Sequence, residues 1–115
     1  MNIRSIYDAA GGDYNTAFRR IPSDELIRSF LLRFPSDPTY GELMEARERE
    51  SAEEIYRAAH ALKGLASVLG LEKLALAADE LAERARLTGA PPDGKYFEAV
   101  TDEYTRVVGL IARML

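Results

Sequence analysis

The sequence predicts an all-α protein, an up-down-up-down four-helix bundle closed at one end by short N-terminal capping helices. Three observations carry that prediction. Apolar residues recur at three- and four-residue steps along the whole chain. The β-branched alternation and Asn-Gly turns that mark strands and hairpins are absent. Ser, Asp and Gly punctuate the periodic stretches where helices start and stop.

The first 21 residues offer two short amphipathic pieces, around Ile3, Ile6 and Tyr7 and then Tyr14, Ala17, Phe18 and Ile21, separated by the Gly11-Gly12 breaker. Residues 1–22 are accordingly expected to form the cap and residues 23–115 the bundle of a single domain. Ser23, followed by Asp24 and Glu25, is a start signal with acids near the positive end of the helix. Ile27, Phe30, Leu31 and Phe34 then make one face. Pro35 interrupts, and Asp37-Pro38 reads as an N-cap followed by proline at the first helical position, so a second stretch runs to about Arg49 on the same edge. The charged stretch from Glu45 to Glu54 is mixed in sign and reads as a solvated connection.

Ser51 and Glu54 have capping-box spacing and open the segment that carries His60, which Gly70 terminates. Leu71, Leu74, Ala78, Leu81 and Ala85 mark the next helix, ending before the Gly89-Ala90-Pro91-Pro92 loop. Asp93 is placed to cap the last one, whose stripe runs through Phe97, Val100, Tyr104, Val107, Ile111 and Met114 or Leu115.

Composition narrows the function classes. A chain of 115 residues supports one domain with a real core, and 47% apolar with 30% charged residues is ordinary for a soluble globular protein. Without cysteine there are no disulfides, thiolate metal sites or cysteine nucleophiles. A formal charge of -4 without a basic stripe argues against nucleic acid as a partner. The apolar stretches fall far short of the ~20 residues that span a bilayer, and the amino end lacks the basic and apolar regions of a signal peptide, so no membrane association and a cytoplasmic location are expected. A monomer is expected as well, since one bundle buries these stripes internally.

His60 is the single histidine. With successive helical residues about 100° apart, Ile55, Ala58, Leu62, Leu65, Ala66 and Leu69 fall within roughly 60° of Leu62 and define the core side. His60 points the other way, and Arg57, Lys63, Gly64 and Ser67 lie within about 60° of it. Glycine inside a helix costs about 1 kcal/mol relative to alanine. Gly64 faces away from the core, so helix packing does not explain it, whereas a missing side chain beside His60 leaves room for a partner to approach the imidazole. Lys63, one of three lysines, sits one turn after His60 and can bring an ammonium to a phosphoryl group. Arg57 can assist from the preceding turn, or both cations can pair with Glu53 or Glu54. The Ser67 hydroxyl can bond a phosphoryl oxygen or its own backbone. Imidazole titrates near physiological pH, so an unprotonated ring nitrogen is available to attack phosphorus. The combination reads as a phosphoryl acceptor.

His60-Ala61-Leu62-Lys63-Gly64, followed by Leu69-Gly70 and Leu74, resembles the signature of histidine phosphotransfer (HPt) domains. Phe30-Leu31-Leu32-Arg33-Phe34, Asp37-Pro38 and Ala58-Ala59 also resemble the stand-alone bacterial members, over about residues 23 to 90, and the last helix is compatible by pattern. The resemblance implies a four-helix bundle, phosphorylation at His60 and shuttling between receiver domains of response regulators or hybrid histidine kinases in two-component phosphorelays. It implies a carrier without kinase activity and without a cofactor of its own, Mg²⁺ and the acceptor aspartate belonging to the partner. Lys63 matches the family lysine that assists the phosphoryl group, and Gly64 the small residue that allows receiver docking. Two departures stand out. Leu65 and Ala66 precede Ser67 where many members carry small polar residues, and the chain contains no glutamine to hydrogen-bond the imidazole as some members have. Leu32, projecting opposite the Ile27-Phe30-Phe34 face, is assigned to packing under the cap rather than to receiver contact.

Other classes fit less well. A kinase needs glycine-rich nucleotide motifs that the chain lacks. A hydrolase or lyase using His60 as base needs an enclosed pocket and an orienting acid, which the polar side of one helix does not offer. A non-phosphorylated helical adaptor that binds receivers or kinases is the remaining alternative. The joint presence of His60, Lys63 and Gly64 argues against it.

Overall fold

Side-chain oxygens open most of the helices by taking up N–H groups that a first turn leaves without partners. Asn2 accepts from the Ser5 amide at 2.8 Å, Asp13 from Asn15 and Thr16 at 2.9 and 3.3 Å, and Asp37 from Thr39 at 2.8 Å. The Ser23 and Ser51 hydroxyls accept from Leu26 and Glu54, each at 3.2 Å. The computed structural model describes residues 1–115, and all of its regular structure is helical. The helices are α1 (Ile3–Ala10), α2 (Tyr14–Arg20), α3 (Asp24–Arg33), α4 (Thr39–Glu48), α5 (Ala52–Val68), α6 (Glu72–Thr88) and α7 (Gly94–Ala112), with a 3-10 turn at Phe34–Ser36 where Pro35 breaks the α3 pattern.

Two start signals act differently from their sequence reading. Glu54 does not complete a capping box, because its carboxylate is taken by Arg49 Nε at 3.0 Å. Asp93 stands at the N-cap of α7 without a side-chain bond. Its own carbonyl accepts the Tyr96 amide at 3.1 Å, so the donor the carboxylate would have satisfied is already paired.

One core cluster runs from Ile6 to Met114 and contains no buried polar or charged residue. The central helix α5 packs against α4 and α6, α6 against α7, and α7 against α1 and α3. Ile6, Tyr7, Ala10 and Ala17 join this core, so α1 and α2 share it rather than sitting outside it. The α6 stripe is buried throughout, from Leu71 to Ala85. In α3 the buried line is Ile27, Leu31 and then Phe34, whereas Phe30 is 40% exposed, with the Arg33 guanidinium 4.9 Å from its ring centre. The three buried residues already fill a stripe at steps of four and three, which leaves Phe30 on the rim. Phe18 is likewise exposed, stacked on Tyr14 at 5.9 Å. Leu32 is half-buried against the core. On α7, Tyr104 is only half-buried, stacked on Tyr40 with ring centres 3.8 Å apart. Met114 completes the α7 stripe, and Leu115 is 92% exposed.

The end of α5 is closed from two directions. Gly70 adopts φ +69°, its amide bonds the Ser67 carbonyl at 3.1 Å, and the Leu71 amide bonds Ala66 at 2.9 Å, the paired bonds of a Schellman stop. The N-terminal segment supplies the rest. The buried Tyr7 hydroxyl donates to the Leu69 carbonyl at 2.5 Å, the Asp13 amide to Gly70 at 2.9 Å, and the Arg20 guanidinium to Ser67. Carbonyls that a helix end leaves open are thereby paired with α1, α2 and the turn between them.

Candidate functional site

The site is one side of α5. Ile55, Ala59, Leu62 and Ala66 are buried within the helix, and Leu69 follows them. Ala58 and Leu65, assigned to the core side by sequence, are only half-buried, while Ala59 is fully covered. The buried sector is therefore turned toward Ala59, and the opposite sector faces solvent. His60 and Gly64 are exposed there, as expected.

The two charged neighbours of His60 each have a definite partner. Arg57 stays on its own helix, its guanidinium 3.4 Å from Glu53. Lys63 does not pair with Glu53 or Glu54. It crosses to α6, with Nζ 3.1 Å from Asp79 Oδ1. A methyl group placed on Gly64 would meet no atom within 4 Å, so nothing in the protein requires a glycine there. Ser67 is half-buried and uses its carbonyl for Arg20 and the Gly70 amide. Lys63, Ser67, Asp79 and Arg20 line one open depression between α2, α5 and α6. His60 and Arg57 are not among its lining residues. Gly70 ends the helix as read, and its position is doubly constrained, since a Cβ there would lie 2.5 Å from the Asp13 carbonyl oxygen.

Two residues of the site escaped the sequence reading. Tyr56 stacks on His60, ring centres 5.6 Å apart and planes inclined by 20°. The spacing of four residues was its visible signal. Asp79 carried no such signal, because its approach to Lys63 depends on how α6 is rotated against α5. Farther along α6, Glu83 is held by Arg86 through bonds of 3.1 and 2.7 Å, and those bonds lower its pKa below the ordinary carboxylate range.

The arrangement can present an exposed imidazole as a nucleophile, with an ammonium one turn away and open space on its flank for another macromolecule. No group of three or more His, Asp or Glu residues is placed to hold a metal ion, and no helix is long and apolar enough to cross a membrane. The family model described as Hpt domain matches residues 25–109, a stretch that contains His60 and every neighbour on α5 and α6 and leaves α1 and α2 outside. No curated protein and no solved structure matches the chain significantly.

Proposed function

The chain belongs to the Hpt domain family, and from that premise we propose that it accepts a phosphoryl group on His60 and relays it to or from aspartates of receiver domains. Hpt domains serve phosphotransfer in two-component signalling as carriers rather than enzymes. The observation that carries the assignment to His60 is the pairing of an exposed imidazole with the open flank at Gly64. Glycine weakens a helix interior by about 1 kcal/mol relative to alanine, and no atom of the protein gains room from it. Clearance for an approaching receiver accounts for it.

In the transfer step, the lone pair of an unprotonated imidazole nitrogen forms the N–P bond as the aspartyl O–P bond breaks, and the carboxylate leaves with the electron pair of the O–P bond. The other ring nitrogen keeps its proton. Return to an aspartate is the same exchange reversed. Alignment and charge neutralisation are the main demands of such a transfer. Mg²⁺ and the aspartate come with the receiver. This chain contributes the nucleophile and, from Lys63, a cation that leaves Asp79 for the phosphoryl oxygens. Arg57 and Ser67 support that charge from the adjoining turns, Gly64 gives clearance and Gly70 fixes the end of the helix.

On the same reading, residues 23–115 form the up-down-up-down bundle, with α3 and α4 sharing one edge, and residues 1–22 form its cap. The protein works as a cytoplasmic monomer whose partners are response regulators or hybrid kinases. Incubation with phosphorylated receiver domains tests the proposal. Wild type should gain acid-labile, alkali-stable label and His60→Ala none. Absence of label on wild type across several receivers overturns the carrier reading in favour of an adaptor.

A further inference from the structure

We propose that Tyr56 is the positioning residue of the His60 imidazole, an inference that rests on His60 being the phosphoryl acceptor. Side chains on a helix lean toward its N-terminus, so His60 lies back over the residue one turn earlier. That residue is Tyr56, and the two rings are near parallel at 5.6 Å. Tyr56 is half-buried against the core, which holds its ring, while the exposed His60 has no comparable hold of its own. Two acids of the facing helix are engaged elsewhere, Asp79 with Lys63 and Glu83 with Arg86, and no hydrogen bond joins His60 to the remaining two, Glu72 and Glu80. The chain also lacks glutamine.

The chemistry of a stack suits this task. The nitrogen lone pair used in attack lies in the plane of the imidazole and points outward from its edge. A hydrogen-bond partner would occupy one of the two nitrogens, whereas an aromatic ring covers a face. Tyr56 therefore limits the orientations of His60 and leaves the nucleophile free for the partner. Because the contact is made by the ring, phenylalanine should serve as well as tyrosine, and leucine, similar in apolar bulk but without a π-face, should not.

The test compares wild type, Tyr56→Phe and Tyr56→Leu in the full chain. The first measurement is the NMR ring-proton shifts of His60 and the cross-peaks between the two rings. The second is the rate of phosphoryl acceptance from a phosphorylated receiver domain. In Tyr56→Leu the His60 shifts should move toward those of a free imidazole and acceptance should slow by about three- to tenfold, the range expected from losing one aromatic pair. Tyr56→Phe should restore both. An unchanged rate in Tyr56→Leu overturns the proposal, as does a loss that phenylalanine fails to rescue. Wild type that takes up no phosphoryl group overturns the acceptor role itself, and is told apart because the His60 shifts in Tyr56→Leu still report whether the stack orients the ring.

Discussion

Lys63 and Asp79 join α5 to α6 beside His60 through a contact of 3.1 Å, with both side chains 39% exposed. A pair this open is worth about 0.2–1 kcal/mol. On the proposed function, a pair this weak would yield to a phosphoryl dianion. Asp79→Asn should therefore cost less than about 1 kcal/mol in urea unfolding and make phosphoryl acceptance by His60 faster, because the cation no longer has to leave a carboxylate. Slower acceptance would show that Asp79 aims Lys63 rather than competing for it. Lys63→Ala should slow transfer or shorten the lifetime of phosphohistidine in a protein that stays folded.

Gly64→Gln separates stability from transfer. With open space around the position, the new side chain should raise stability by about 0.5–1 kcal/mol through helix propensity. Transfer from a receiver should slow because the side chain blocks close approach. Transfer at the wild-type rate would remove the clearance role of this glycine.

Gly70→Ala has the opposite signature. The residue is in the left-handed region at φ +69°, and a Cβ would press on the Asp13 carbonyl oxygen at 2.5 Å. A loss of about 1–3 kcal/mol is expected from the backbone strain, together with earlier hydrogen exchange of the amides around Asp13. An unchanged urea midpoint would contradict the stop geometry.

Tyr7 links stability to alkaline pH. Burial raises its pKa above the ordinary tyrosine value. For an acid that is neutral when protonated, a raised folded pKa means that the stabilising contribution is complete below the unfolded value of about 10 and is lost as the pH climbs above it toward the folded value. Tyr7→Phe should remove about 1–3 kcal/mol at pH 7, since the Leu69 carbonyl loses its donor. It should also flatten the decline in melting temperature above about pH 10.

The residues that sequence placed well are those whose position depends on one helix alone. The α6 stripe from Leu71 to Ala85 and the outward direction of His60 both follow from a period of 3.6 residues. Errors arise where the rotation of one helix against another decides. Ala59 rather than Ala58 is fully buried, and Lys63 reaches Asp79 on α6, neither of which the period of α5 alone decides. Phe30 stayed on the rim because Ile27, Leu31 and Phe34 had already filled the α3 stripe. Tyr56 was legible in principle at a spacing of four from His60, yet its aromatic contact draws on side-chain leaning rather than on hydrophobic period.

The bonds from Tyr7, Asp13 and Arg20 to the last carbonyls of α5 give the segment outside the family match a mechanical hold on the helix that carries His60. Removing that segment would let α5 fray backward from Leu69, and the first side chains of the His60 face to lose their footing would be Ser67 and then Lys63. His60, two turns from that end, would feel the loss as a change in the charge around it before any change in its own backbone.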